Sequence, residues 1–330
     1  MKRLVLIALL ATGCGGTAVV REAPVTVAEG TPAATAEPQA PQPNGSVRIA
    51  VVTHGPASSK FWAIIRNGVD AASRTLDVLV DYHAPDVYSA QRMSDLIDAA
   101  VASKPDGLVV SIPEPAVAPA IRRAVRAGIP VVSINSGSQL FRKLGVLAHV
   151  GQIEDRAGLE AGQRLAAAGV RHALCVNQQV GNTGLDARCA GLARAMQEAG
   201  GDARVLGVVD DDPDTPRKIA EAVAKREVTG VLCTNAVSGL AAVQGLAGTG
   251  VKIGTFDLGP DVLKAVQDGK LAFAIDQQAY LQGYLPIEML AQRARYGLFP
   301  AEGDVIATGP HFVTRADASK AMELSRRSIR

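Results

Sequence analysis

Two doubly wound, parallel-sheet α/β lobes are the fold class predicted for this chain. Three observations predict it. Apolar β-rich runs alternate regularly with helical patterns from residue 47 onward. Most of those runs are continuously apolar rather than alternating, as strands buried on both faces by helices must be. Hydrophobic residues make up 48% and aromatics only 4%, so Ala, Val, Leu and Gly fill the core, which suits helix-covered parallel sheets better than a β-sandwich. The pattern gives about ten strands, too many for one small sheet, and residues 150–152 divide them into similar halves.

The elements follow in order. A strand at 47–53 precedes a helix at 60–76 on which Phe61, Ile65, Gly68, Val69 and Ala72 share one face. Strand 78–82, helix 90–103, strand 107–112, helix 116–127 and strand 131–135 complete the first half. Pro105-Asp106-Gly107 and Gly128-Ile129-Pro130 stop helices and hand over to strands. The second half reads helix 154–168, strand 173–177, helix 187–198, strand 205–209, helix 216–226, strand 230–233, helix 236–246, strand 253–257, helix 260–268, strand 271–275 and a long helix at 281–296. The basic residues Arg326, Arg327 and Arg330 read as a solvated helix end.

Ahead of the first strand, Met1-Lys2-Arg3 and the apolar run 4–11 end in Ala11-Thr12-Gly13-Cys14. Eight apolar residues are too few to span a bilayer, so this is an export signal. Its end resembles the bacterial lipoprotein cleavage box, which implies lipidation of Cys14, although Ala11 stands where Leu is commonest. Residues 15–45 are rich in Ala, Pro and Thr without apolar periodicity, the composition of a disordered tether. The expected protein is therefore secreted across the cytoplasmic membrane, periplasmic or at the cell surface, and held by a lipid anchor. An oxidising location permits a bridge between Cys175 and Cys189; an alternative is that all three remaining cysteines, Cys233 included, are small core residues.

The formal charge of +2 shows no basic footprint for a duplex, so no nucleic-acid partner is expected. No G-x-S-x-G elbow, H-E-x-x-H or paired C-x-x-C is present, and the five histidines, His54, His83, His149, His172 and His311, are scattered. Gly245 to Gly250 lacks the Lys-Ser/Thr of a phosphate loop and precedes a strand instead of following one. Asp210, Asp211, Asp212 and Asp214 lack the alternate oxygen spacing of a calcium loop and read as a solvated turn. No enzyme activity, metal or cofactor is expected.

What remains is a set of hydrogen-bonding residues at the carboxyl ends of the predicted strands, where open α/β sheets bind ligands. The first half contributes Phe61, Trp62, Ser111, Asn135 and Ser136, with His54 beside them; the second contributes Asn182, Arg188, Asn235, Asp257 and Gln277. A sugar needs an aromatic for its C–H face and paired donors and acceptors for its hydroxyls, which this set supplies. Competing readings are core packing for Trp62, helix capping for Asn135, Asn235 and Asp257, and a surface ion pair of Arg188 with Asp186 or Glu198.

These segments resemble the type I periplasmic binding proteins of the ribose- and galactose-binding family. The resemblance runs from about Val47 to Ala307: Arg48-Ile49-Ala50-Val51-Val52 with Phe61-Trp62 and Gly68, then Asn182 to Gly191 with Arg188 as the sugar-contacting arginine. The longest match is Gly254-Thr255-Phe256-Asp257 through Val262-Leu263-Lys264-Ala265-Val266 to Gln277, carrying a cleft aspartate and a hinge-side glutamine. It implies a hinge crossed several times, with one lobe formed by 46–150 plus 278–306 and the other by 151–277 plus 307–330. It further implies a monomer that closes on a sugar, polyol or nucleoside and delivers it to the permease of an ATP-binding-cassette importer. An alternative is a sensory module that presents its closed form to a receptor. Asn135-Ser136 stands where sugar binders of the family commonly carry an Asp-Arg pair, which shifts the expectation away from ribose and galactose.

Overall fold

The structure, a computed structural model, describes residues 46–56, 59–225, 227–300 and 302–330. The expected export signal, Cys14 and the tether at 15–45 lie outside the described residues. The first half runs β1 (Arg48–Val52), α1 (Lys60–Leu76), β2 (Leu79–His83), α2 (Ala90–Ala102), β3 (Gly107–Ser111), α3 (Ala118–Arg126), β4 (Val131–Ile134) and β5 (Ala148–Gly151). The second runs α4 (Glu154–Ala167), β6 (His172–Asn177), α5 (Thr183–Glu198), β7 (Asp202–Gly207), α6 (Thr215–Ala224), β8 (Gly230–Cys233), α7 (Ala236–Gly245), β9 (Lys252–Phe256), α8 (Pro260–Gln267) and β10 (Phe273–Asp276). Helix α9 (Ala279–Tyr296), strands β11 (Val305–Ala307) and β12 (His311–Val313) and helix α10 (Arg315–Arg326) follow.

Two six-stranded sheets result, ordered β11-β5-β4-β3-β1-β2 and β12-β10-β9-β8-β6-β7, so position by position they share one winding pattern. Among the described residues the strands pair in parallel, except β10 with β12. The interior strands β3, β4, β8 and β10 are buried along their whole length, which is why they read as unbroken apolar runs. Helix α1 buries Trp62, Ile65, Gly68, Val69 and Ala72. The chain passes between sheets after β5, after β10 and between β11 and β12.

Several elements differ from expectation. Strand β7 covers Asp202–Gly207, not 205–209: it is an edge strand whose register is set by pairing with β6, His172 opposite Asp202, while Val208 drops into the core beyond its end. Helix α5 starts at Thr183, earlier than 187, because the Asn182 side chain accepts from the Gly184 N–H and caps it. Strands β11 and β12 have only three residues each, too short to register as apolar runs, and four-residue β5 carries His149 and Gly151 and so shows no such run. Arg330 is no simple solvated end: its Nε donates to the buried Asp276 carboxylate at 2.6 Å.

Glycines bring two helix pairs into backbone contact. A Cβ on Gly68 would lie 2.1 Å from the Tyr280 carbonyl oxygen, joining α1 to α9. A Cβ on Gly158 would lie 2.0 Å from the Arg188 oxygen, and one on Gly191 2.2 Å from the Asp155 oxygen, joining α4 to α5. Behind α5, Cys189 is bonded to Cys175 on β6, and Cys233 is a buried free thiol.

Gly158→Ala is expected to destabilise the protein by about 1–3 kcal/mol, since the methyl meets backbone that cannot swing aside. At an open helical position the same change would stabilise by about 1 kcal/mol, so the sign is diagnostic. Gly207→Ala, in the exposed edge strand β7 with only the Val180 side chain at 3.4 Å, is the near-neutral control, and urea unfolding compares the two.

Candidate functional site

Identical winding brings the carboxyl ends of both sheets to the side where the lobes meet. Direct contacts cross there: the Thr183 N–H donates to the Pro113 carbonyl at 2.8 Å, and the Ser136 hydroxyl lies 3.1 Å from Asn182 Oδ1. Asn135 and Asp257 occupy equivalent places, just after β4 and β9, and both take left-handed backbone with φ of 62° and 66°. Their N–H groups bond to the neighbouring strand in the same way, Asn135 to the Val150 oxygen and Asp257 to the Ile275 oxygen. Non-glycine residues held in this region carry strain that Asn and Asp tolerate best. Neither caps a helix; Gly259 occupies the N-cap of α8.

Gln277 links these two residues. Its Nε2 donates to Asp257 Oδ1 at 2.6 Å, and its Oε1 accepts from Asn135 Nδ2 at 3.3 Å and from Gln282 Nε2 at 3.0 Å. Gln282 also donates to Thr308 Oγ1 at 3.2 Å, and the Thr308 hydroxyl donates to the Gln277 carbonyl at 2.7 Å. One network therefore ties both crossings after β10 and β11 to a residue of each lobe.

Arg188 is 2% exposed and not a surface residue. Its Nε and Nη2 donate to the two oxygens of Glu154 at 2.6 and 2.9 Å, and its Nη1 donates to the Thr234 carbonyl at 2.7 Å. The guanidinium carbon stacks 4.1 Å from the Phe256 ring centroid. Burial works against its charge, but Glu154 and then Asp257 more than offset this and raise its pKa. The expected alternative partner Asp186 instead accepts from Asn177 Nδ2 and the Gly181 N–H. Three of the five guanidinium N–H groups are thereby committed, which leaves two.

On the first lobe, Ser111 Oγ accepts from the His54 N–H at 3.0 Å and sits 2.9 Å from His54 Nδ1. Burial lowers the His54 pKa to about 3, so the ring is neutral. The Ser111 hydroxyl and His54 Nδ1 share one hydrogen bond, and Nε2 enters none among the described residues. The Trp62 ring meets His54 edge-on at 4.8 Å and Phe61 at 5.4 Å; Trp62 is 6% exposed and shares the core with Ile65 and Val69. Tyr88 lies 5.8 Å from His54 and donates to Glu114.

Of the residues expected at the site, Asn135, Ser136, Asn182, Arg188, Asp257 and Gln277 fall into one connected cluster, and Trp62, Phe61 and Ser111 gather around His54. Asn235 stands at its border: it caps α7, accepting from the Ser238 N–H, and its Nδ2 donates to Asp210 at 2.8 Å. The sequence reading missed Glu154, Gln282, Thr308 and Tyr88. A first-turn glutamate on α4 has an ordinary helix-dipole explanation, so nothing marked it out. Among the described residues no group of three or more His, Cys, Asp or Glu side chains could hold a metal ion.

Desolvation raises the Asp257 pKa to about 6, against the pull of Arg188 and the Gln277 hydrogen bond. The folded state then holds its proton more tightly than the unfolded chain, so this group's contribution to stability is full below about 4 and is lost as pH rises through about 6. Asp257→Asn is accordingly expected to be more stable than the wild type at pH 7, by roughly 1–2 kcal/mol after screening by residual water. The gap should close as the pH falls from 6 to 4 in thermal melts of the ligand-free protein.

Residues 49–297 match the family described as the periplasmic binding protein domain. A carbohydrate transporter from Acidothermus cellulolyticus 11B, solved in complex with myo-inositol, is 34% identical with a TM-score of 0.81, over 87% of this chain and 100% of that one. The xylose/arabinose-binding protein XylF of Sulfolobus acidocaldarius is 25% identical over 300 residues, 82% of this chain and 71% of its own length. A solute-binding protein from Burkholderia graminis C4D1M, solved with D-arabinose, shares the fold at TM-score 0.74 and 21% identity, covering 82% and 96% of the two chains. With the two equivalent sheets and the triple crossing described above, the chain belongs to the periplasmic binding protein domain family and has its type I, two-lobed fold.

Proposed function

We propose that this chain is the extracytoplasmic binding component of an ATP-binding-cassette importer. It captures a simple sugar or polyol between its lobes and does no chemistry on it. The connected cluster of Asn135, Gln277, Asp257, Arg188 and Glu154 carries this reading, because it joins donors and acceptors from both lobes at the line where they meet. Two guanidinium N–H groups of Arg188, His54 Nε2 and Asp257 Oδ2 enter no hydrogen bond among the described residues, a set that suits alternating hydroxyl donors and acceptors. Myo-inositol, named in the complex of the 34% identical transporter, and the pentoses named for XylF fit that chemistry. In this reading Ser136 and Asn182 close the cleft over the ligand, and Phe61 and Trp62 back the aromatic wall formed with His54. Lipidation of Cys14 holds the monomer at the membrane, and the closed form is read by the permease.

A thermal-shift and calorimetric screen of myo-inositol, D-xylose, L-arabinose, hexoses and nucleosides tests the reading. A true ligand at a hundred times its Kd should stabilise the protein by about 2.7 kcal/mol. Arg188→Met is expected to weaken binding at least about tenfold, from hydroxyls left unpaired. A protein that responds to none of these neutral compounds would rule the reading out.

A further inference from the structure

Exposed arginines in clefts recognise anions, because the guanidinium fork fits a carboxylate or phosphate two-pronged. In this protein that fork is already filled from within. Glu154 takes the Nε and Nη2 edge of Arg188 with both oxygens, and the Thr234 carbonyl takes Nη1. Glu154 cannot swing away: it is 3% exposed, accepts from Gln152 Nε2 at 2.7 Å, and sits in the first turn of α4, where the helix dipole favours a carboxylate. It also lies at the line of closure, since a Cβ on Gly184 would be 3.2 Å from Ser136 Oγ of the first lobe and 3.6 Å from Glu154 Cγ.

We propose that Glu154 is a specificity-determining residue that holds Arg188 as a neutralised donor, so that the cleft selects uncharged polyhydroxylated ligands and rejects their carboxylate-bearing counterparts, the sugar acids. This inference rests on the cleft reading above and deepens it. The local charge supports it: one guanidinium faces two carboxylates, Glu154 and Asp257, while the other nearby acid, Asp276, is paired with Arg330. His54 is neutral and adds nothing. In a site this dry, a ligand carboxylate would meet net negative charge with only two guanidinium N–H groups left to receive it, whereas a neutral hydroxyl can donate to Asp257 and accept from Arg188.

Calorimetry with myo-inositol and D-glucuronate at pH 7, on the wild type, Glu154→Gln and Glu154→Asp, tests it. The wild type should bind myo-inositol and show no measurable glucuronate binding. Glu154→Gln removes the neutralising charge, so the preference for myo-inositol over glucuronate should fall at least about tenfold. Glu154→Asp keeps the charge and should retain the preference even where its affinity for myo-inositol falls; a merely structural role would instead make the Gln and Asp variants alike in preference. An unchanged preference in a folded Glu154→Gln protein overturns the inference and leaves the cleft reading standing; a wild type that binds no neutral probe sinks both. Should Glu154→Gln fail to fold, the wild type decides with D-glucuronamide against D-glucuronate: the amide must bind at least about tenfold tighter, and equal binding overturns the inference.

Discussion

The pairing of Arg188 with Glu154 is the constraint around which the second lobe is arranged. Two charges taken out of water cost several kcal/mol each, and only near-ideal geometry with further hydrogen bonds offsets this. The protein supplies both, through a two-pronged contact, the Thr234 carbonyl, Gln152 and the face of Phe256. The two residues sit on different helices, so the pair also demands that α4 and α5 approach to backbone contact. Gly158 and Gly191 allow that approach, and the Cys175–Cys189 bond ties α5 to the sheet one residue beyond Arg188. Any side chain at those glycines would meet backbone of the partner helix within about 2.2 Å, so the approach that places Arg188 against Glu154 depends on them.

The first lobe meets the second with no comparable charge. At the place equivalent to Asp257 it has Asn135, in the same left-handed backbone and with the same strand hydrogen bond. The strain is thus duplicated while the charge is not. Gln277 donates to the carboxylate and accepts from the amide, which is the polarity an Asp–Gln–Asn chain requires. Replacing Asn135 with Asp would put an acceptor against an acceptor at Gln277 Oε1, so the departure of this chain from the Asp-Arg pattern of related sugar binders is consistent with its own hinge chemistry.

The alternation of elements was legible because central strands buried on both faces leave unbroken apolar runs, and Gly and Pro punctuate them. Edge and return strands were not: β7 was misplaced because its exposed residues carry no pattern, and β11 and β12 exist only through their partners. Within the cluster, Asn135, Ser136, Asn182, Arg188, Asp257 and Gln277 were all legible as hydrogen-bonding residues after predicted strands, and the family resemblance picked out Arg188, Asp257 and Gln277 a second time. Glu154 was invisible because its partner lies 34 residues away on another helix, and only the glycine-mediated packing of α4 on α5 brings them together. Asn235 follows the competing reading: its side chain caps α7 and donates to Asp210.

Closure itself follows from how little holds the lobes shut. The Thr183–Pro113 and Ser136–Asn182 hydrogen bonds cross the cleft, and two neutral bonds contribute together only about 1–3 kcal/mol. The hydrogen bonds among Gln277, Gln282 and Thr308 belong to the crossings themselves rather than to the cleft. A ligand accepting from Arg188 while bonding to His54 would add several contacts that exist only in the closed form, and that difference in affinity is what shifts such an equilibrium. In the proposed reading, a bridge of hydroxyls would supply that difference by meeting the polar groups left free on both sides, without disturbing the buried pair beneath them.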